Sequence, residues 1–129
     1  SPTAPLPANG TATYTGTVFD AHDANDAALA YRIDFGQKKG SGTVAAANGR
    51  TALTLQEADI TQFSTAFGNT HGVDSGGVRS TDGSISGTYD LGIAGPNAEE
   101  IVGSLSYGAT GQVPDINQVF YGKRGDITP

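Results

Sequence analysis

The sequence predicts an all-β protein, an eight-stranded antiparallel up-and-down β-barrel. Three observations carry this. Eight short runs alternate between apolar and polar character, and no 3.6-residue apolar period persists. Most of the runs are joined by tight turn chemistry, which builds a meander. Four runs hold a glycine in their middle, where a strongly coiled small barrel needs the backbone to bend or approach another surface. A meander of eight hides its edges by closing. An open sandwich is the competing arrangement.

The elements follow in order. SPTAPLPANG (1–10) holds three of the six prolines and reads as an extended lead-in or linker. The barrel is expected over 11–125 and a short tail over 126–129. Strands are predicted at 11–19, 28–36, 39–46, 50–56, 63–67, 83–91, 99–107 and 118–123. Asn48-Gly49 forms the strongest hairpin signal, because both residues tolerate the positive φ of a type I′ turn. DFGQKKG and STDGSISG also reverse the chain tightly. EADITQF (57–63) has room for one helical turn. Gly16, Gly42, Gly87 and Gly103 are the mid-strand glycines, each followed by Thr or Ser.

Composition excludes several function classes. The chain has 129 residues, one domain's worth, and only five phenylalanines and five tyrosines to fill its core. Its net charge of −6 and seven scattered basic residues argue against nucleic acid, which needs clustered Lys and Arg. No run approaches the roughly 20 apolar residues of a membrane-spanning helix. With no cysteine there is no disulfide framework, thiolate metal site or cysteine nucleophile. The chain opens at Ser1 without methionine, so a signal segment or upstream domain is expected ahead of it.

Glu99 and Glu100 stand side by side, as acid–base catalysts sometimes do. On a strand, neighbouring side chains point to opposite faces, so the two carboxylates do not converge. Ile101, Gly103, Leu105 and Tyr107 make the apolar face, with Glu100, Val102, Ser104 and Ser106 on the other. No GxSxG elbow or phosphate-cradling glycine loop is present, and no enzyme is predicted. Asp20, His22, Asp23 and Asp26 crowd the segment DAHDAND, but they lack calcium-loop spacing and zinc pairing, so the segment reads as a loop.

The longest run without strand character is GNTHGVDSGGVRSTD (68–82), and a loop of that length is uncommon without a role. Its His71 is an available axial ligand for haem iron, the one cofactor the sequence suggests, although Val73 and Val78 are its only larger apolar groups. A solvated surface loop is the plainer reading. The candidate partner-binding residues are His22 and Asp23 in the first loop, and His71, Asp74 and Arg79 in the second. Loops 20–27 and 68–82 are expected at one barrel end, held by rigid strands.

Gly87, Tyr89, Gly95, Pro96, Ala98, Glu100, Ile101, Gly103, Phe120, Gly122 and Arg124 form a spaced series along the C-terminal half. With YRIDFGQKKGSGTV and LTLQEADI before it, this series resembles the β-barrel of the transferrin-binding-protein-B-like bacterial proteins. That group includes factor H-binding-protein-like domains and hemophilin-type haemophores. The resemblance runs from about Leu6 to Arg124 and implies an eight-stranded barrel exported by a Gram-negative bacterium, secreted or anchored at its outer surface. It implies capture of a host iron- or haem-carrying or other serum protein. It also implies recognition by an outer-membrane translocon of the Slam type. Members usually carry an N-terminal handle domain, often the part that grips the ligand, so a scaffold and export module is the alternative function. SISGTYDL also resembles a strand of avidin-type barrels, whose biotin walls depend on tryptophan, and this chain has none.

Overall fold

The structure is a computed structural model that describes residues 5–20, 26–47, 49–66 and 68–129. Nine strands form: β1 (Thr11–Phe19), β2 (Ala27–Asp34), β3 (Lys39–Val44), β4 (Leu53–Asp59), β5 (Thr61–Thr65), β6 (Gly68–Ser80), β7 (Ile85–Ala94), β8 (Glu100–Ala109) and β9 (Ile116–Arg124). Every pairing is antiparallel. β1 pairs with β9, and β4 pairs with β6, so the sheet closes into an eight-stranded barrel with β5 as an extra strand.

Eight staves is the expected number, but one of them was misidentified. Residues 68–80, expected as loop, are the longest strand of the molecule. Residues 57–63, expected to hold a helical turn, are the end of β4, Ile60 and the start of β5. Leu55 opposite Val78 and Thr61 opposite Gly72 keep a single register. β4 and β5 are therefore one bent stave whose second half leaves β3 and continues with β6.

β6 looks unlike a strand because its inward positions need little volume. Tyr89 on the neighbouring β7 fills the space above Gly76, where an added Cβ would fall 2.4 Å from the ring. At Asp74–Ser75 the register against β7 shifts by one residue. Ser75 adopts φ +64 there, and its N–H donates to Asp90 Oδ1 at 2.9 Å. This is a bulge that bends the strand around the barrel.

The four mid-strand glycines admit close approach. An added Cβ would lie 1.9 Å from the Tyr121 carbonyl oxygen at Gly16 and 2.4 Å from that of Ala30 at Gly42. At Gly87 and Gly103 the corresponding distances are 1.9 Å to Ser106 and 2.1 Å to Asp90. The adjacent strand's backbone occupies the space of the missing side chain, as tight coiling demands.

Inward side chains make one contiguous buried cluster in which Tyr14, Tyr31, Tyr89, Tyr107 and Phe120 supply the bulk. A tyrosine can be buried only if its hydroxyl finds a partner. Tyr14 donates to the Ala98 carbonyl at 2.6 Å. Tyr89 donates to the Gln56 carbonyl at 2.8 Å, which leaves its oxygen to accept from Tyr31 at 2.9 Å. Tyr107 donates to Gln118 Oε1 at 2.8 Å.

Burial disfavours the tyrosinate, and the Tyr14 hydroxyl is pushed up from 10.0 to about 12. Burial moves Tyr31, Tyr89 and Tyr107 the same way. Between pH 10 and 12 the unfolded chain releases a proton that folded Tyr14 keeps. Stability is therefore full below pH 10 and is lost as pH rises toward 12, by up to about 1.4 kcal/mol per pH unit for each such group. Tyrosinate absorbance and far-ultraviolet circular dichroism should change together in an alkaline titration. Ionisation of all five tyrosines near pH 10 with the fold intact would contradict this.

The two barrel ends differ. One carries Asp20, Asp26 and the connections 81–84 and 110–115, beside the end of β3 and the start of β4, and we call it the loop end. At the other, the turn end, tight reversals at 35–38 and 95–99 close the strands. There Thr11 bridges Thr128, the Phe35 N–H donates to the Gly10 carbonyl at 2.8 Å, and Leu6 and Ile127 pack on the core. Asn48 lies outside the described residues; Ala47 and Arg50 exchange two hydrogen bonds, and Gly49 has φ +77.

Candidate functional site

Of the side chains singled out from the sequence, the three within the described residues are spread along one strand. His22 and Asp23 lie outside the described residues. His71, Asp74 and Arg79 belong to β6, not to a loop. His71 sits toward the turn end and Arg79 toward the loop end, roughly 25 Å apart along an extended strand. Asp74 is exposed at the bulge and accepts from the Ser75 hydroxyl at 3.2 Å. Arg79 is exposed opposite Thr54 and Ser86.

His71 lies in the sheet between Gln62 and Ile93, and its Nδ1 is buried without a hydrogen-bond partner. That nitrogen is enclosed by protein, while the residue as a whole is half-buried. Among the described residues no group of three or more His, Asp or Glu side chains is gathered to hold a metal ion.

The paired glutamates are separated as their register demanded. Glu99 Oε1 accepts the Asn97 N–H at 2.7 Å and braces the 95–98 turn, in which Ala98 adopts φ +58. Glu100 faces outward on β8 and accepts the Tyr121 hydroxyl at 2.7 Å. That hydrogen bond raises the Tyr121 pKa, because it favours the protonated phenol beside a carboxylate. Arg124 bridges the same turn from β9, with Nη2 donating to the Asn97 carbonyl at 2.7 Å and Nε to that of Ala98 at 3.2 Å. Their partners give these residues structural work.

Sequence reasoning passed over the outer face of β8, β9 and β1. Outward positions of a soluble barrel are ordinarily polar, yet Val102, Val119 and Phe19 are 45%, 59% and 44% exposed. Register makes them neighbours: Phe19 lies opposite Val119, and Val102 opposite Tyr121, two residues along β9. Ser104, Thr17 and Gly92 fill the intervening positions with little bulk. Beside this stripe, toward the loop end, a shallow cleft of about 510 Å³ opens between Phe19, Asp20, Asp26, Ser104, Ser106, Asn117 and Val119. The signal was present in EEIVGSLSY, where the alternation assigns Val102 to the face of Glu100, Ser104 and Ser106. The partners on β1 and β9 could be matched to it only once the strands were paired.

The barrel thus combines a contiguous buried core with an apolar stripe on its outer face. The family model for factor H binding protein, C-terminal, matches residues 4–105. A solved structure of a surface lipoprotein is similar with a TM-score of 0.68 at 21% identity, over 97% of this chain and 65% of that chain. At that identity the likeness speaks to the fold, and this chain spans just under two thirds of that protein.

Proposed function

Since the chain belongs to the factor H binding protein C-terminal family, whose barrels are non-enzymatic binding modules, we propose that it captures a host serum protein at a bacterial cell surface. Factor H, named by the family, is the first partner to test, and an iron- or haem-carrying serum protein the second. The observation that carries the proposal is the contiguous stripe on the outer face made by exposed Phe19, Val119 and Val102 with half-buried Tyr121 between them. Exposed apolar groups brought together in this way mark interaction surfaces. The strands hold them rigidly, so little side-chain or loop ordering opposes association.

Immobilised chain is expected to bind one purified serum protein saturably, with affinity reduced about tenfold or more in Val119→Ser, a variant whose change lies outside the core. Equal binding by Val119→Ser would remove this face from the contact. Haemin, by the same reading, produces no saturable one-to-one Soret shift. A shift abolished by His71→Ala would instead make the chain a haem binder.

A second reading has its own support. Because the chain spans 65% of the surface lipoprotein that it resembles, the barrel can serve as a scaffold recognised by an outer-membrane Slam-type translocon while another domain binds the ligand. In that case the chain alone binds none of the serum proteins but is retained by the translocon.

A further inference from the structure

The charges around the outer stripe say more about what it meets. Asp20 and Asp26 stand at the loop end of the stripe, Asp90 flanks it on β7 beside Ser104, and Glu100 borders Val102 and Tyr121. Among the described residues one cation, Lys123, lies at the border, directly opposite Glu100 in the ladder. Four carboxylates and one ammonium thus surround four apolar or aromatic side chains, in a chain whose net charge is −6.

This field disfavours three kinds of occupant. A second copy would bring the same acidic rim against itself. Anionic lipid headgroups and nucleic acid would be repelled by both the rim and the net charge. From the charge complementarity we infer that the β8–β9–β1 face docks a protein segment that presents apolar side chains flanked by lysines or arginines. The apolar groups lie on Val102, Tyr121, Val119 and Phe19. A basic side chain enters the cleft beside Asp26, its aliphatic stem against Phe19 and Val119 and its charge toward the carboxylates. Rim charges of this kind accelerate encounter and select partners, while the desolvated apolar centre supplies affinity. The inference rests on the outer face being the binding surface and adds the chemistry of the partner.

The test uses two synthetic peptides with the same apolar core, one flanked by lysines and the other by glutamates. Each is titrated into the isotopically labelled 129-residue chain and followed by amide chemical shifts. The lysine-flanked peptide is expected to move Phe19, Val102, Val119 and Tyr121 together. Its affinity should fall about tenfold in Val102→Ser/Val119→Ser and severalfold in Asp26→Asn. It should weaken again when salt is raised to about 0.5 M, where screening acts within a few ångströms. The glutamate-flanked peptide should leave the face untouched. Equal binding of both peptides there would overturn the charge inference while leaving the surface reading intact. Shifts confined to other residues, with a serum protein still bound by the chain through Val119, would overturn the inference alone. Sedimentation showing a dimer that Val119→Ser dissociates would give the face to a second copy instead.

Discussion

Gly103→Val is expected to be among the most damaging single substitutions in this barrel. An added Cβ would fall 2.1 Å from the Asp90 carbonyl oxygen on β7 and 2.3 Å from the Phe120 ring on β9. A side chain can sometimes swing away, but the carbonyl belongs to a strand paired along its length with β8. Moving it would open the closed sheet. Overpacking in a core ordinarily costs about 1–3 kcal/mol, and a clash with backbone lies at or beyond the upper limit. We expect a loss of about 3 kcal/mol or more, and a midpoint lowered by roughly 10 °C or more for a chain of this size. Gly125→Ala is the control: nothing lies within 4 Å of its added Cβ, so its effect should stay within about 0.5 kcal/mol. Thermal unfolding followed by circular dichroism checks both. A Gly103→Val variant as stable as the parent would mean that the tight coiling is not required.

The second large effect is an asymmetry between two hydrogen-bonded tyrosines. Tyr31 donates to Tyr89, and Tyr89 donates onward to the Gln56 carbonyl. Their rings also meet edge-to-face, with centroids 5.9 Å apart. Tyr31→Phe removes the first donor and leaves the second bond in place, at a cost of about 1 kcal/mol. Tyr89→Phe removes an acceptor and a donor together. It strands the Tyr31 hydroxyl in the core and deprives the Gln56 carbonyl of its partner, at about 2–3 kcal/mol. The double variant should lose less than the sum of the two, because once Tyr31 is phenylalanine its hydroxyl is no longer orphaned. Denaturant midpoints of the three variants measure this directly. Equal losses for the two single variants would show that the chain of bonds does not run in this direction.

How much of this was legible beforehand can be judged from particular segments. β1 begins and ends where its alternation says it should, and β8 buries Ile101, Leu105 and Tyr107 on the face assigned to the core. Period-two alternation is local, so one strand's own residues suffice to reveal it. The mid-strand glycines were legible for the same reason, because a residue that weakens a strand needs a neighbour to explain it. Family membership was legible too, since the spaced series from Gly87 to Arg124 lies in one dimension.

β6 was not legible. Its Gly76 is occupied by the Tyr89 ring, and its bulge at Ser75 is anchored by Asp90, both supplied by β7. No property of residues 68–80 taken alone announces those partners. The same limit hid the apolar outer stripe. Val102, Val119, Tyr121 and Phe19 come from three strands widely separated in the chain, and only the antiparallel registers of β8 with β9 and β9 with β1 make them adjacent. The sequence by itself determined which residues alternate, where the chain turns and which family it joins, because those depend on near neighbours in the chain. The tertiary structure decided that β6 is a stave, that His71 and Arg79 stand apart, and that four scattered apolar side chains form one surface. Those depend on pairing between distant segments, where a shift of one residue turns every side chain to the opposite face.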